Sequence, residues 1–467
     1  MINDNKYLYG FNELEGLTTI LNFFDCGLDT GYGLFAWTFE SDEVLRAVNY
    51  YNVEFQETTV ELAEFRRRTS DNRKEIIVGC QRSYGRFWEE ALAFNRESDE
   101  YKVSIVEYGD YITEENPNGD RDKILLDLTT GKGPDVFILD NPNTVELLKR
   151  KKAFLPLDKY IEEDETIDKA DYFPNILKIG SYNGKLEVFI PCVSVVTMIM
   201  SEEEGRLISN WSIDEFKEFI SEDKNGHGTL YGASRRDVLN LLVYSSKTIL
   251  HDNKCDFMSS DFYDALEIAS KYPRRDTPLP YDVDKEIDLF RKKECKLEYA
   301  DISWAGGYGY YKDIIFGEPV SLIGLPGTES GQNLIRYDEA YAISAKSNNK
   351  EGAWQFVRRF MEPDYLSGEN GEFASHKSLF IESAKNVEMP VWYLKGGSEL
   401  RAMPLSDEEI NMLYEFILSA EDVMYEDPEI ERMLDEETAA FFEGQKTAEE
   451  VAKIIQSRVS IYIKEYR

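Results

Sequence analysis

Apolar and polar positions alternate along the first 73 residues. The runs Tyr7–Phe11, Leu17–Phe24, Leu34–Phe39 and Val53–Leu62 are separated by turn-prone Glu-Gly, Asp-Thr-Gly and Ser-Asp pairs, which predicts short strands. The pattern is repeat-like, and the segment is too small for a closed β-structure of its own. The polar run Arg66–Arg73 closes it as a linker.

A different texture begins at Lys74. Glu75–Cys80, Tyr101–Val106 and Gly133–Asp140 read as strands, and Phe87–Arg96 and Asp122–Thr130 between them carry helical spacing. Strand–helix–strand–helix–strand with short loops predicts parallel strands joined by right-handed crossovers, hence an α/β fold. No G-x-G-x-x-G follows the first strand, which disfavours a dinucleotide-binding fold.

Helices dominate the remainder. Ser212/Glu215, Ser406/Glu409 and Thr447/Glu450 each carry the capping-box spacing. After the last of them Val451, Ile454, Ile455, Val459 and Tyr462 fall on one helical stripe. Glu318–Pro326 and Tyr341–Ser344 read as strands, with an amphipathic helix following through Trp354 and Phe360. Strand blocks separated by long helical insertions imply a chain that crosses between two lobes more than once.

Composition narrows the function. The 467 residues suggest two or three folding units, and 42% hydrophobic with 30% charged residues excludes a disordered chain. Lys and Arg number 53 against 89 Asp and Glu, a net charge of −36, which repels phosphate backbones and anionic membranes and argues against nucleic acid as a partner. No run approaches ~18 uninterrupted apolar residues. Met1–Asn5 has neither a basic nor an apolar leader region, so the chain shows no secretion signal. The five cysteines (Cys26, Cys80, Cys192, Cys255, Cys295) are widely spaced and read as buried free thiols.

Catalytic patterns are missing. His227, His251 and His376 make no ligand spacing, Gly327–Gly331 fits neither a nucleophile elbow nor a phosphate loop, and Asn116–Asp122 lacks the calcium-loop Gly and Glu. Neither a metal nor a cofactor is expected. With 89 carboxylates, an acid pair cannot be singled out by spacing.

The strand ends say more, because open α/β sheets bind ligands outside the carboxyl ends of their strands. Those ends carry Cys80–Tyr84, Tyr108–Tyr111 and Leu139–Asn143. Arg82 and Asp140 could grip hydroxyl pairs, and Tyr84 or Tyr108 could stack on a ligand. Helix caps and solvated loops are the alternative. Trp304, Tyr308, Tyr310 and Tyr311, interleaved with three glycines, cannot form a regular amphipathic helix. Such a loop suits the apolar face of a sugar ring, with core packing as the alternative. Trp211 and Trp354 sit on helical stripes and read as core.

Gly131–Phe137, Lys152–Asp158, Asp171–Asn175 and Tyr182–Leu186, followed by a strand through Ile190-Pro191, resemble the first lobe of extracellular solute-binding proteins of ATP-binding-cassette importers, carbohydrate-binding group. Ala342–Val357 resembles the family's return strand and helix, and Phe441–Glu450 with Ile455–Arg458 its C-terminal helices. The resemblance covers about 74–467 and differs in two ways: no export signal or lipidated cysteine, and the strand-rich leader, which is similar to the end of a β-propeller-like extension.

The resemblance implies a two-lobed, periplasmic-binding-protein-like (type II) fold. Residues 1–73 would be an N-terminal extension, 74–192 and 340–390 the first lobe, and 193–339 and 391–467 the second, with a hinge crossing near Pro191–Val196. Arg82, Ser83, Tyr84, Asp110, Asp140 and Asn141 would face the cleft from one lobe, and Ser194, Trp304 and Tyr308 from the hinge and the other. Arg336 or Tyr337 would stand near the second crossing. The implied function is non-catalytic binding of a carbohydrate by domain closure and its delivery to membrane permease subunits. The implied setting is a monomeric cell-surface lipoprotein of a Gram-positive-type bacterium. The competing readings are a glycan-acting hydrolase or lyase with a carboxylate pair in the same cleft, and a receptor that presents ligand to a membrane sensor.

Overall fold

The computed structural model describes residues 2–3, 7–12, 16–24, 36–41, 44–53, 57–66, 71–82, 85–208, 211–221, 229–251, 253–274, 282–327, 331–367 and 372–466. The leader forms two three-stranded antiparallel sheets, Ile2–Asn3 with Tyr7–Asn12 and Gly16–Asn22, and Ala36–Ser41 with Val44–Val53 and Glu57–Arg66. The single strand expected over Val53–Leu62 is therefore two strands, paired from Val44↔Arg66 to Val53↔Glu57. Leu45 and Ala47 turn inward and bury on alternate positions of the first, a period the intervening Arg46 masks in the sequence. Phe24 docks the leader onto the following lobe, its ring 4.7 Å from that of Trp88.

The first lobe is built on a five-stranded sheet. Lys74–Cys80 lies between Tyr101–Glu107 and Val136–Leu139, parallel to both. Ala340–Ile343 pairs antiparallel with Val136–Leu139, and Val188–Phe189 completes the edge. The sheet is mixed rather than wholly parallel because Ala340–Ile343 re-enters from the second sheet instead of arriving by a crossover helix.

The second sheet is organised around the ten-residue strand Cys192–Ser201. Its start pairs with Phe373–Ala374, its middle with Leu334–Arg336 and Leu297–Ile302, and its end with Val320–Leu322. Asp422–Val423 adds a parallel edge to Leu334–Arg336. The chain passes between the sheets at Ile190–Pro191, again at Tyr337–Glu339, and a third time after Phe373–Ala374.

Three apolar clusters hold this together. One, with Phe87, Phe356 and Phe360, backs the first sheet; one, with Trp211, Phe262 and Ile455, backs the second. The third runs between the sheets through Phe137, Phe173, Ile199, Ile335, Phe380 and Leu413. Trp211 and Trp354 are buried as expected, Trp354 on the helix Lys350–Val357, whereas Trp211 lies before the helix Ile213–Ser221 and not on a helical stripe. Ser406 and Glu409 form a reciprocal capping box, as do Thr447 and Glu450, and Ser212 caps the helix Ile213–Ser221.

Among the described residues no helix is long and apolar enough to cross a membrane, and no group of three His, Cys, Asp or Glu side chains could hold a metal ion. Cys80 and Cys295 are buried, whereas Cys192 and Cys255 are only half-buried, a departure from the expected buried thiols; Cys26 and His227 lie outside the described residues.

Candidate ligand-binding cleft

The carboxyl ends of the first-lobe strands face the second sheet. Gln81 and Arg82 follow the Lys74–Cys80 strand, and the Gln81 carbonyl accepts from the Gly109 N–H at 2.8 Å. A side chain at residue 109 would collide with that carbonyl, since a Cβ there would lie 2.5 Å from it, so glycine lets the two strand ends meet. Arg82 is exposed beside the short 3-10 turn Gly109–Tyr111, and Asp110 on that turn is exposed as well. Ser83 and Tyr84 lie outside the described residues. Tyr108 cannot stack on a ligand: it is 2% exposed, and its hydroxyl donates to Asp127 at 3.3 Å.

Asp140 and Asn141 end the Val136–Leu139 strand. Asn141 accepts from the Asn143 and Thr144 N–H groups and so caps the helix Pro142–Arg150, with its side chain half-buried. Burial, with the charges of Asp120, Asp338 and Glu339 behind it, pushes the Asp140 carboxyl up to about 6. The same residue lines a small gap with Gln81, Asp120 and Thr144.

On the second sheet, Ser194 stands opposite Arg336 in the ladder, at the end nearest the crossings. Arg336 donates to Asp301 at 2.6 Å and to Glu426 at 2.9 Å, and these carboxylates hold its guanidinium firmly charged despite the burial that opposes it. Trp304, three residues past Asp301, is half-buried. It starts the short helix Ala305–Gly309, which continues as a π-helical turn over Tyr310–Phe316. The expected aromatic loop is thus helical. Its glycines allow close packing: a Cβ on Gly309 would meet the Met389 methyl at 2.3 Å.

That helix separates two aromatics expected to act together. Tyr308 is 4% exposed within the core between the sheets, with Lys312 at 5.9 Å from its ring centre, so its placement on the cleft wall is corrected. The helical turn rotates residue 308 inward and leaves Trp304 half-buried at its start. Tyr337 is also buried.

The crossings contribute carboxylates that no spacing in the sequence marks. Glu339 accepts from Tyr341 at 2.6 Å and Tyr365 at 3.0 Å, which pins the second crossing to the first lobe. Glu372 is half-buried, and burial plus the charges of Asp338, Glu339 and Asp301 raise its carboxyl. Burial raises the half-buried Cys192 thiol to about 12, with Glu372 and Glu339 adding to it. Asp140 and Glu372 therefore both feel the charges of Asp338 and Glu339 at the crossings, and Glu372 also feels Asp301, which holds the Arg336 guanidinium: one fixed cation among several acceptors. This set can hold a polyhydroxylated molecule, and it shows no nucleophile–base pair.

The family model for bacterial extracellular solute-binding proteins matches residues 81–367. No curated protein matches the chain. Among solved structures, the sugar-binding protein MalE from the phytopathogen Xanthomonas citri is 13% identical with a TM-score of 0.53, over 84% of this chain and 98% of that one. An extracellular solute-binding protein of family 1 from Alicyclobacillus acidocaldarius is 14% identical with a TM-score of 0.51, over 85% of this chain and 100% of that one. At these identities the likeness shows the two-lobed fold.

Proposed function

Because this chain belongs to the family of bacterial extracellular solute-binding proteins, we propose that its cargo is a carbohydrate, an oligosaccharide before a monosaccharide, held non-covalently between the lobes and released unchanged. One observation supports this most: the Arg336 guanidinium is fixed between Asp301 and Glu426 beside the crossings, with the half-buried Trp304 three residues past Asp301 and the Asp140 carboxyl ending a first-lobe strand. Aromatic faces stack on the apolar faces of sugar rings, and a guanidinium with flanking carboxylates matches vicinal hydroxyls.

The lobes in this reading are 74–192 with 340–390 and 193–339 with 391–467. Phe380 against Phe173 supports the first grouping, and the bond from Trp392 to Asp284 at 2.9 Å supports the second. Closure about the crossings brings Asp140, Asn141 and Arg82 toward Trp304, Ser194 and Arg336, and ligand stabilises the closed form by its greater affinity for it. A monomer on the cell surface, anchored as a lipoprotein and docking closed on importer permease subunits, completes the assignment.

Calorimetry against a panel of oligosaccharides, with a peptide and a polyamine as controls, tests it. Saturable binding of at least one sugar with no release of reducing ends is the expected result. Binding of the peptide or polyamine alone would reassign the cargo, and turnover would favour a glycan-acting enzyme.

A further inference from the structure

We infer that the two lobes carry a latch, centred on the Tyr462 hydroxyl, that holds them together without any ligand. The inference rests on the two-lobe reading but not on the identity of the cargo.

Tyr462 lies on the C-terminal helix Ala448–Tyr466, which packs in the second-lobe core with Val451, Ile455 and Val459. Its hydroxyl accepts from Asn118 Nδ2 and from Arg121 Nη1, both at 3.2 Å. Those two residues open the helix Gly119–Thr130 of the first lobe. The same hydroxyl faces the Asp427 carboxylate at 3.2 and 3.1 Å and donates there. One donor and two acceptor positions are all a phenol offers, and each is engaged.

The second-lobe half is held in place before closure. Asp427 caps the helix Pro428–Phe442 by accepting from the Glu429 and Ile430 N–H groups at 3.0 and 3.3 Å. Its main chain is fixed on both sides by Tyr244, whose hydroxyl donates to the Asp427 carbonyl at 3.1 Å and accepts from its N–H at 3.0 Å. A second bridge runs alongside, from Asn143 Nδ2 to the Glu426 carbonyl at 2.7 Å.

Burial shows that these contacts belong to the closed arrangement. Arg121 is 3% exposed, Asp427 1% and Tyr462 6%, and Asn118 and Asn143 are buried too. Separating the lobes would return the cation, the anion and two amides to water. Within the buried seam the guanidinium pairs with Asp122 of its own helix at 3.5 Å and reaches Asp427 of the other lobe through the phenol, and charge-assisted bonds of this kind are the stronger ones. The bonds are made between protein groups only, so they bias the lobes toward closure with the cleft empty, and a ligand that favours closure gains from the same bias.

Small-angle X-ray scattering and hydrogen exchange on the unliganded full chain test this, with Tyr462→Phe as the main variant and Asn143→Ala as the second. Tyr462→Phe keeps the ring in the core and removes only the hydroxyl. The expected result is a compact wild type and a larger radius of gyration for the variant, with faster exchange in peptides spanning 118–121 and 426–428. The open-to-closed ratio should rise roughly tenfold, as expected for losing a hydrogen bond to a charged group. Asn143→Ala should move the same readouts less. An open wild type, or scattering and exchange unchanged in both variants, would overturn the latch. A thermal midpoint retained in Asn143→Ala keeps the test decisive should Tyr462→Phe fold poorly. Failure of every sugar in calorimetry would leave this result untouched.

Discussion

Gly306 lies directly under the ring of Trp304: a Cβ at residue 306 would stand 2.1 Å from the indole Cζ3. The ring is folded back over the start of its own helix and is held there by the absence of a side chain two residues later.

Gly306→Ala should therefore displace the Trp304 ring without unfolding the lobe. The cost to stability should be about 1–3 kcal/mol, the usual range for overpacking. Sugar affinity should fall, and the tryptophan emission should shift as the ring changes environment. Emission and affinity both identical to wild type would show that Trp304 is not held by this contact.

Trp304→Leu removes the aromatic face but leaves the helix start intact. Carbohydrate affinity should drop ~10-fold or more, as for an aromatic anchor at an interface. The thermal midpoint should move by only a few degrees, because the ring is half-buried. Calorimetry on the same sugar panel decides it, and undiminished affinity would remove Trp304 from the site.

Asp140 sets a pH dependence. Its carboxyl is raised from the ordinary 3.8 to about 6 by burial, then by Asp120, Asp338 and Glu339, so the folded protein retains a proton that the unfolded chain releases. Its contribution is full below about pH 4 and is lost as pH rises through about 6. Asp140→Asn should match wild type at pH 4 and exceed it by about 1–3 kcal/mol at pH 7, read from urea midpoints at both. A variant-minus-wild-type difference that is flat with pH would contradict the burial of this charge.

Arg336→Met leaves Asp301 and Glu426 facing each other without a cation. A loss of about 1–3 kcal/mol is expected at pH 7, below the value for a fully buried pair because Arg336 keeps some contact with solvent. The deficit should shrink at high salt, which screens the repulsion left between the two carboxylates. Adding Glu426→Gln should restore part of it at pH 7. Equal stability of Arg336→Met and wild type would make the triad a surface ornament.

What the sequence revealed was mostly local. Ser406 finds Glu409, and Thr447 finds Glu450, within one helical turn, so spacing alone discloses the caps. The strands ending at Cys80, Glu107 and Leu139 are short apolar runs with turn signals on both sides. The site was less legible because its partners are remote. Arg336 meets carboxylates 35 and 90 positions away in a chain with 89 of them, so no spacing could have selected Asp301, Glu426, Glu339 or Glu372. The split between Trp304 and Tyr308 was hidden for another reason. The glycines that read as a loop signal in fact admit a tightly packed helix, and the direction of that helix decides which ring turns inward.

The strand Cys192–Ser201 is laddered to Phe373–Ala374 at its start and to the second sheet along the rest of its length. At ~3.3 Å per residue such a ribbon is about as long as a small domain is wide. In the two-lobe reading it would serve as a torsion rod. Stretching or sliding it would shear a row of backbone hydrogen bonds at once, whereas twisting it distributes a small strain over every rung. The two halves should therefore swing like a door on a stiff spindle and not slide past one another like a drawer.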